Sequence, residues 1–238
     1  MKLKEQVAII TGGSRGIGRA VALAFSREGA RVALAARSAA ALHEVAVFIR
    51  SQNGQALVVP TDVRQEASVA ALVDRTISEW GRVDILVTAA GVAAFGPVAD
   101  SAPSEWDEMM AVNLRGVYLT CRAALPPMIK QRRGTIINVV SVAAQRVIPG
   151  CAAYAASKHG VLGFTRVLAE EMRAHGVRVA ALLPGAVDTP LWDRIPNPAD
   201  RARMLRPEDV AEAAVLMASL PASASLEELT LLPAAGIL

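Results

Sequence analysis

The chain has 238 residues, 53% hydrophobic and 20% charged, with a formal net charge of +3. That length suits one α/β domain with ample apolar surface for a core, and a charge so mild and scattered (Lys130, Arg132 and Arg133 apart) argues against a nucleic-acid-binding face. No apolar run approaches the roughly 20 residues of a membrane helix, Met1–Glu5 carries no apolar signal region, and Cys121, Cys151, His43, His159 and His175 form no metal-ligand set, so we expect a cytoplasmic protein with reduced thiols, no metal, no membrane and no nucleic-acid partner.

Aromatic residues are only 4% of the chain, so the core must rest on Ala, Val, Leu and Ile. Val7–Ile10 reads as a strand and Gly16–Glu28 as a helix. Arg31–Ala36 and Ala39–Ser51 repeat that pair, as do Ala56–Pro60 and Glu66–Trp80. Val83–Thr88 is a strand, followed by a long helical region over Ser104–Gln131. Thr135–Val140 leads to a helix over Ala152–His175. Arg178–Leu183, a helix over Pro207–Ser219 and a strand over Glu228–Leu232 complete the set. Continuous apolar strands, each followed by a helix, predict a parallel sheet covered on both faces. Right-handed crossovers then make it a doubly wound parallel seven-stranded sheet, a Rossmann fold in a single domain spanning 1–238. Gly185–Arg206, with Pro190, Pro196 and Pro198, lacks periodicity. It follows a strand C-terminus, where such folds bind ligands, and is read as a substrate-binding loop.

Thr11-Gly12-Gly13-Ser14-Arg15-Gly16-Ile17-Gly18 joins the first strand to the first helix. Gly12 permits a tight turn, Gly16 lets backbone approach a pyrophosphate, and Gly18 lets helix and strand pack closely. The helix N-terminus offers unpaired N–H groups to phosphates. Sites for NAD usually carry a carboxylate at the end of the second strand. Here that strand ends Ala35-Ala36-Arg37, and Arg15 sits inside the glycine turn. Two guanidinium groups suit a 2′-phosphate, so NADPH is expected to bind at least tenfold more tightly than NADH, on the order of 1.4 kcal/mol.

Tyr154-Ala155-Ala156-Ser157-Lys158 opens the Ala152–His175 helix. The i, i+4 spacing puts phenol and ammonium on one face. A phenol of pKa near 10 is a poor acid–base at neutral pH, and a nearby cation is expected to lower it. Ser141 ends the fifth strand, where its hydroxyl can donate to a carbonyl oxygen. Asn113 interrupts the long helical region, where an Asn disturbs the backbone and can hold a water.

With these residues in hand, the whole chain resembles the short-chain dehydrogenase/reductase family. Thr11–Gly18, Asp62-Val63, Asn113, Ser141, Tyr154-x-x-x-Lys158 and Pro184-Gly185 followed by Thr189 carry the resemblance. It implies an NADP(H)-dependent oxidoreductase. Tyr154 would be the general acid/base, and Lys158 would hold the nicotinamide ribose and lower the tyrosine pKa. Ser141 would orient the substrate oxygen, and Asn113 would keep a water in a proton relay. Gly12, Ser14, Arg15, Gly16, Ile17, Gly18 and Arg37 would bind cofactor. Asp62 and Val63 would border the adenine, Val187 and Thr189 the nicotinamide end, and Ala89, Ala90, Gly91, Pro184 and Gly185 would line the same site. The chain departs from the family's Asn-Ala-Gly after the fourth strand, reading Thr88-Ala89-Ala90-Gly91. It also lacks the common C-terminal Asp-Gly-Gly, reading Leu232-Pro233-Ala234-Ala235-Gly236.

The reaction so implied interconverts a small-molecule carbonyl and a secondary alcohol. Ser141, Ala143, Ile148, Tyr154, Leu191 and Trp192 are the candidate substrate residues, suggesting an apolar pocket under a lid. The chain is similar to 3-oxoacyl-[acyl-carrier-protein] reductases in its glycine turn and Arg132-Arg133-Gly134, but carries His175 where that group has a second basic residue. An acyl carrier protein is therefore one candidate partner. A non-catalytic NADP(H)-binding sensor or scaffold would explain the glycine turn but not the Ser141, Tyr154, Lys158 and Asn113 set. Family members are mostly dimers or tetramers, so a homo-oligomer, a tetramer first, is expected.

Overall fold

The apolar runs become seven strands: β1 (Val7–Thr11), β2 (Arg31–Ala36), β3 (Gln55–Pro60), β4 (Ile85–Thr88), β5 (Gly134–Val139), β6 (Val177–Pro184) and β7 (Glu228–Leu231). In the computed structural model, which describes residues 1–195 and 200–237, they form one parallel sheet in the order β3-β2-β1-β4-β5-β6-β7. Six helical crossovers link them, as the alternating pattern required. They run through α1 (Gly16–Arg27), α2 (Ala39–Ser51), α3 (Glu66–Trp80), a composite fourth crossover, α6 (Ala152–Arg173) and α7 (Pro207–Ser219).

Successive residues of a strand face opposite sides of a sheet. Ala8 and Ile10 therefore enter one core with Val21, Phe25 and Val215, beneath α1, α2 and α7. Ile9 enters the other with Leu72, Val161 and Leu168, beneath α3 and α6. Each such fully buried Ile contributes about 1.5–3 kcal/mol relative to exposure. A polar seam crosses the second layer. Asn138 of β5 accepts from Thr88 Oγ1 at 2.8 Å and donates to Thr165 Oγ1 at 2.9 Å. Both ends of that buried amide are thus satisfied, as a low-dielectric interior demands.

The predicted Ser104–Gln131 helix differs in form. It divides into α4 (Pro103–Met109), a π-helical turn (Met110–Arg115) and α5 (Gly116–Gln131). Asn113 lies inside the wide turn, the irregularity expected of it. Widened turns of this kind are frequent at functional sites.

The Gly185–Arg206 stretch is more ordered than its composition suggested, although Pro196 and Pro198 lie outside the described residues. Val187 and Leu205 pair as a parallel bridge, with Leu205 N donating to Ala186 O at 2.9 Å. Trp192 Nε1 donates to Val187 O at 2.9 Å. Arg201 closes the stretch like a clasp, contacting Asp188 at 2.5 Å, Asp193 at 2.8 Å and the Thr189 carbonyl at 3.2 Å.

Candidate active site

β1 is flanked by β2 on one side and β4 on the other, so the crossovers leave it in opposite directions. A crevice opens at that point, beyond the strand C-termini. Here it is a cleft of about 730 Å³. Gly12, Ser14, Arg15, Gly16 and Ile17 line one end, with Arg37, Asp62, Val63, Ala89, Ala90 and Gly91. Pro184, Gly185, Val187 and Thr189 form a further wall. Ser141, Ala143, Ile148, Tyr154, Lys158, Leu191 and Trp192 complete the other end. Of the residues read from the sequence, Gly18 and Asn113 lie behind the wall instead of on it.

The glycines act as their spacing implied. Gly12 has φ +70°, and a Cβ there would meet the Ala89 carbonyl at 2.7 Å. A Cβ on Gly18 would come within 2.3 Å of the Gly12 carbonyl. Gly18 therefore holds turn and helix together without touching the cleft. α1 begins at Gly16 with no side-chain cap and no acid in its first turn. Its N–H groups and the positive end of its dipole are left for an anion. Arg15 and Arg37 are exposed at the same end. Asp62 faces them, yet its carboxylate is already taken by Arg64, at 2.6 Å. Hydrogen bonding from Arg64 holds its pKa below the usual value. The departure after β4 is partly made good by Thr11, whose hydroxyl accepts from Ala90 N at 3.3 Å.

At the other end, Tyr154 sits in the first turn of α6 and Lys158 one turn on. The lysine Nζ lies 5.6 Å from the centre of the phenol ring and donates to the Val139 carbonyl at 3.0 Å. Ser141 follows β5, and its Oγ accepts from Ala143 N at 3.1 Å. The expected acid shift of the phenol is reversed in the protein alone. Burial pushes Tyr154 up to about 12, only partly offset by hydrogen bonding with Ser141. Burial also pulls Lys158 down to about 8. Both shifts have one cause, removal of the charged form from water. The 5.6 Å cation does not overcome it.

Asn113 is fully buried, and its whole amide is engaged. Oδ1 accepts from Val92 N at 2.9 Å, while Nδ2 donates to Val92 O at 2.9 Å and to Ser157 Oγ at 3.1 Å. Ser157 in turn donates to the Tyr154 carbonyl at 2.7 Å. The side chain thus braces the loop after β4 against the first turn of α6, which carries Tyr154.

Sequence reasoning missed several lining residues, among them Arg64, Phe95, Cys151 and Ile237. Phe95 stands edge-on to Tyr154 at 5.7 Å and to Trp192 at 5.8 Å between ring centres. It comes from a loop with no periodicity, so nothing in the local pattern marked it. Arg132 and Arg133 precede β5, at the end of the sheet away from the cleft. Among the described residues no group of His, Cys, Asp or Glu is placed to hold a metal, and no helix is long and apolar enough to cross a membrane.

Comparison with known proteins agrees with this geometry. The family model for short chain dehydrogenases matches residues 6–199. An oxidoreductase of Staphylococcus haemolyticus is 36% identical over 232 residues, 98% of this chain and 99% of the relative. One of Staphylococcus aureus is 35% identical over 231 residues, 97% and 98% of the two chains. A solved metagenomic short-chain oxidoreductase in complex with NADP is 37% identical, with TM-score 0.86 over 98% of this chain and 99% of its own. An alcohol dehydrogenase of the archaeon Thermococcus sibiricus, complexed with 5-hydroxy-NADP, is 33% identical with TM-score 0.89 over 96% of each chain. The fold, the glycine turn and the Ser141, Tyr154 and Lys158 cluster, together with these matches, establish that the chain belongs to the short-chain dehydrogenase family of oxidoreductases.

Proposed function

We propose that the protein is an NADP(H)-dependent oxidoreductase interconverting a ketone and a secondary alcohol. One observation carries this reading: a single cleft holds an uncapped helix N-terminus with two arginines at one end and Ser141, Tyr154 and Lys158 at the other. The residues fit a phosphorylated dinucleotide. Gly12 gives a cradle no Cβ could enter, and among the described residues the one carboxylate on the cleft wall, that of Asp62, is paired with Arg64. Gly12 to Ile17 would take the pyrophosphate, Arg15 and Arg37 the 2′-phosphate, Asp62 and Val63 the adenine side. Val187 and Thr189 would border the nicotinamide. When bound, NADPH supplies the hydride.

The chain supplies everything else. Ser141 donates to the carbonyl oxygen, and Tyr154 delivers a proton to it as negative charge develops there. Donors aimed at that oxygen help because they act where charge appears in the transition state. Lys158 stabilises the phenolate left behind and holds the proton that restores it. Asn113 keeps its expected place in proton supply only through its backbone, since its amide is committed. Leu191, Trp192 and Ile195, from the described part of the loop after β6, would border the substrate.

The reading is tested by ketone-dependent oxidation of NADPH, followed at its absorbance band, together with cofactor titration. NADPH should bind at least about tenfold more tightly than NADH. Arg37→Asp should abolish that preference by restoring the acid that NAD sites carry. Equal binding of both cofactors by the parent, or NADPH binding with no ketone turned over, overturns it; the second result would favour a sensor.

We further infer a cytoplasmic homo-oligomer, first of all a tetramer. Cys121 and Cys151 are unpaired and buried, as suits a reducing compartment. Trp106, Tyr118 and Val167 expose apolar surface on α4, α5 and α6, the helices through which such an assembly would pack. Light scattering at micromolar concentration should give four times the 24.9 kDa chain mass. A monomer mass refutes the assembly.

A further inference from the structure

Resting on the reading above, we propose that the physiological substrate is an uncharged aryl ketone of one or two rings, or the secondary alcohol that corresponds to it. The argument starts from charge. Charged side chains on the cleft wall are Arg15, Arg37, Asp62 and Arg64 at the glycine-turn end, and Lys158 behind Tyr154. Around the substrate end stand Phe95, Ile148, Pro149, Leu191, Trp192 and Ile195, and among the described residues no charged side chain joins them.

The polar groups at this end are already assigned. Trp192 Nε1 is held by the Val187 carbonyl, and Thr189 Oγ1 accepts from Leu191 N at 3.4 Å. The Cys151 thiol is kept neutral, its pKa raised by burial. Thr189 borders the nicotinamide side in the reading above, so among the described residues Ser141 and Tyr154 are the hydroxyls left to the substrate, and both are needed by the carbonyl oxygen. A carboxylate, phosphate or ammonium on the substrate would lose its water with nothing to replace it. Keto acids and sugar phosphates are therefore disfavoured.

The choice of an aromatic ligand follows from where the rings are. The chain has nine aromatic residues (four Phe, two Tyr, three Trp) and builds its core from aliphatics. Three of the nine, Phe95, Tyr154 and Trp192, meet in one edge-to-face chain on this wall, with interplanar angles of 74° and 71°. A flat π-face can continue that arrangement, whereas a saturated ring of equal size cannot. The cleft of about 730 Å³ is shared with a dinucleotide. With much of that volume given to the cofactor, one or two rings are assigned over the four of a steroid. The chemistry balances as an ordinary reduction. A hydride from the reduced nicotinamide joins the carbonyl carbon and the Tyr154 proton joins the oxygen, so the ketone gains the two electrons the nicotinamide loses.

The test uses matched ligands with the NADPH-loaded protein: acetophenone, 2-acetylnaphthalene, 4-acetylbenzoate and cyclohexyl methyl ketone. The neutral aryl ketones should exceed 4-acetylbenzoate in kcat/KM by about 100-fold, the order expected for an unpaired buried charge. They should exceed the cyclohexyl ketone by about tenfold, the order of an aromatic pair contact. Turnover of 4-acetylbenzoate or the cyclohexyl ketone within about threefold of acetophenone, well inside those margins, overturns the assignment. A second readout needs no turnover. In NADP-loaded Tyr154→Phe protein, acetophenone and not 4-acetylbenzoate should quench tryptophan fluorescence, and Trp192→Phe should remove that signal. Selective quenching without turnover in the parent protein would count against the oxidoreductase reading alone and still support the substrate class. Quenching by both ligands, or by neither, overturns the substrate class.

Discussion

Tyr154→Phe is expected to lower kcat for ketone reduction by about 10²–10⁴-fold, the usual worth of a positioned general acid, while NADPH affinity stays within about twofold, a few tenths of a kcal/mol. The phenol oxygen is a proton donor at the cleft end whose neutral form persists across the physiological range, because burial has pushed its pKa up to about 12. Removing the oxygen leaves the ring, and so leaves its contact with Phe95 at 5.7 Å. Cofactor contacts and packing should survive. Stopped-flow reduction and a NADPH fluorescence titration separate the two quantities, and near-parental kcat would rule out the role. The pH profile of the parent enzyme carries the same logic. Lys158 titrates at about 8. Reduction should therefore be level below that pH, where the ammonium is present to hold the departing phenolate, and should decline above it.

Lys158→Met should show opposite signs in activity and stability. Turnover should drop by at least about 100-fold, since the phenolate loses its counter-charge and its proton source. The folded protein should become more stable at pH 7. Burial depresses the Lys158 pKa from 10.5 to about 8, so holding the ammonium inside costs about 3 kcal/mol at most. Methionine removes that cost but leaves the Val139 carbonyl without the donor it has at 3.0 Å. A net gain of about 1–2 kcal/mol is expected. The pH window follows from the shift. Below pH 8 both folded and unfolded lysine are charged, and the full cost stands. From 8 to 10.5 the unfolded chain still binds the proton that the folded chain has released, so the parent regains stability as pH rises. The variant's advantage should be full at pH 7 and below, shrink from pH 8 and vanish above 10.5. Denaturant melts at pH 7 and pH 10 check this; a variant less stable than the parent at pH 7 would show that the buried charge is not a burden.

The elements that were legible in the sequence share one property: their pattern is local. β2 over Arg31–Ala36, α2 over Ala39–Ser51, α3 over Glu66–Trp80 and α7 over Pro207–Ser219 have the bounds that their apolar spacing marked. The glycine turn was readable for the same reason, since Gly12, Gly16 and Gly18 answer to backbone demands within a few residues. Phe95 and Ile237 depend instead on segments far apart in the chain, and the Arg201 clasp on ion pairs 8 to 13 residues away, so no periodicity announces them. The direction of the Tyr154 shift was misjudged because the spacing of a phenol and an ammonium is visible in sequence, whereas the depth at which both are buried is not. Asn113 shows the same limit. Its position in a broken helix was legible, but not that its amide would be consumed by Val92 and Ser157.

The widened turn at Met110–Arg115 has a consequence for how the wall beside Val112 tolerates change. A regular helix turns every peptide oxygen along its own axis and offers nothing sideways. Skipping a residue in one turn leaves a main-chain acceptor unspent at that spot. Polarity obtained in this way belongs to the chain's course and not to any side group. Val112, which lines the cleft, can therefore drift among apolar types while that acceptor persists, and a lineage can reshape what enters the cleft there without altering the turn assigned to the proposed proton relay.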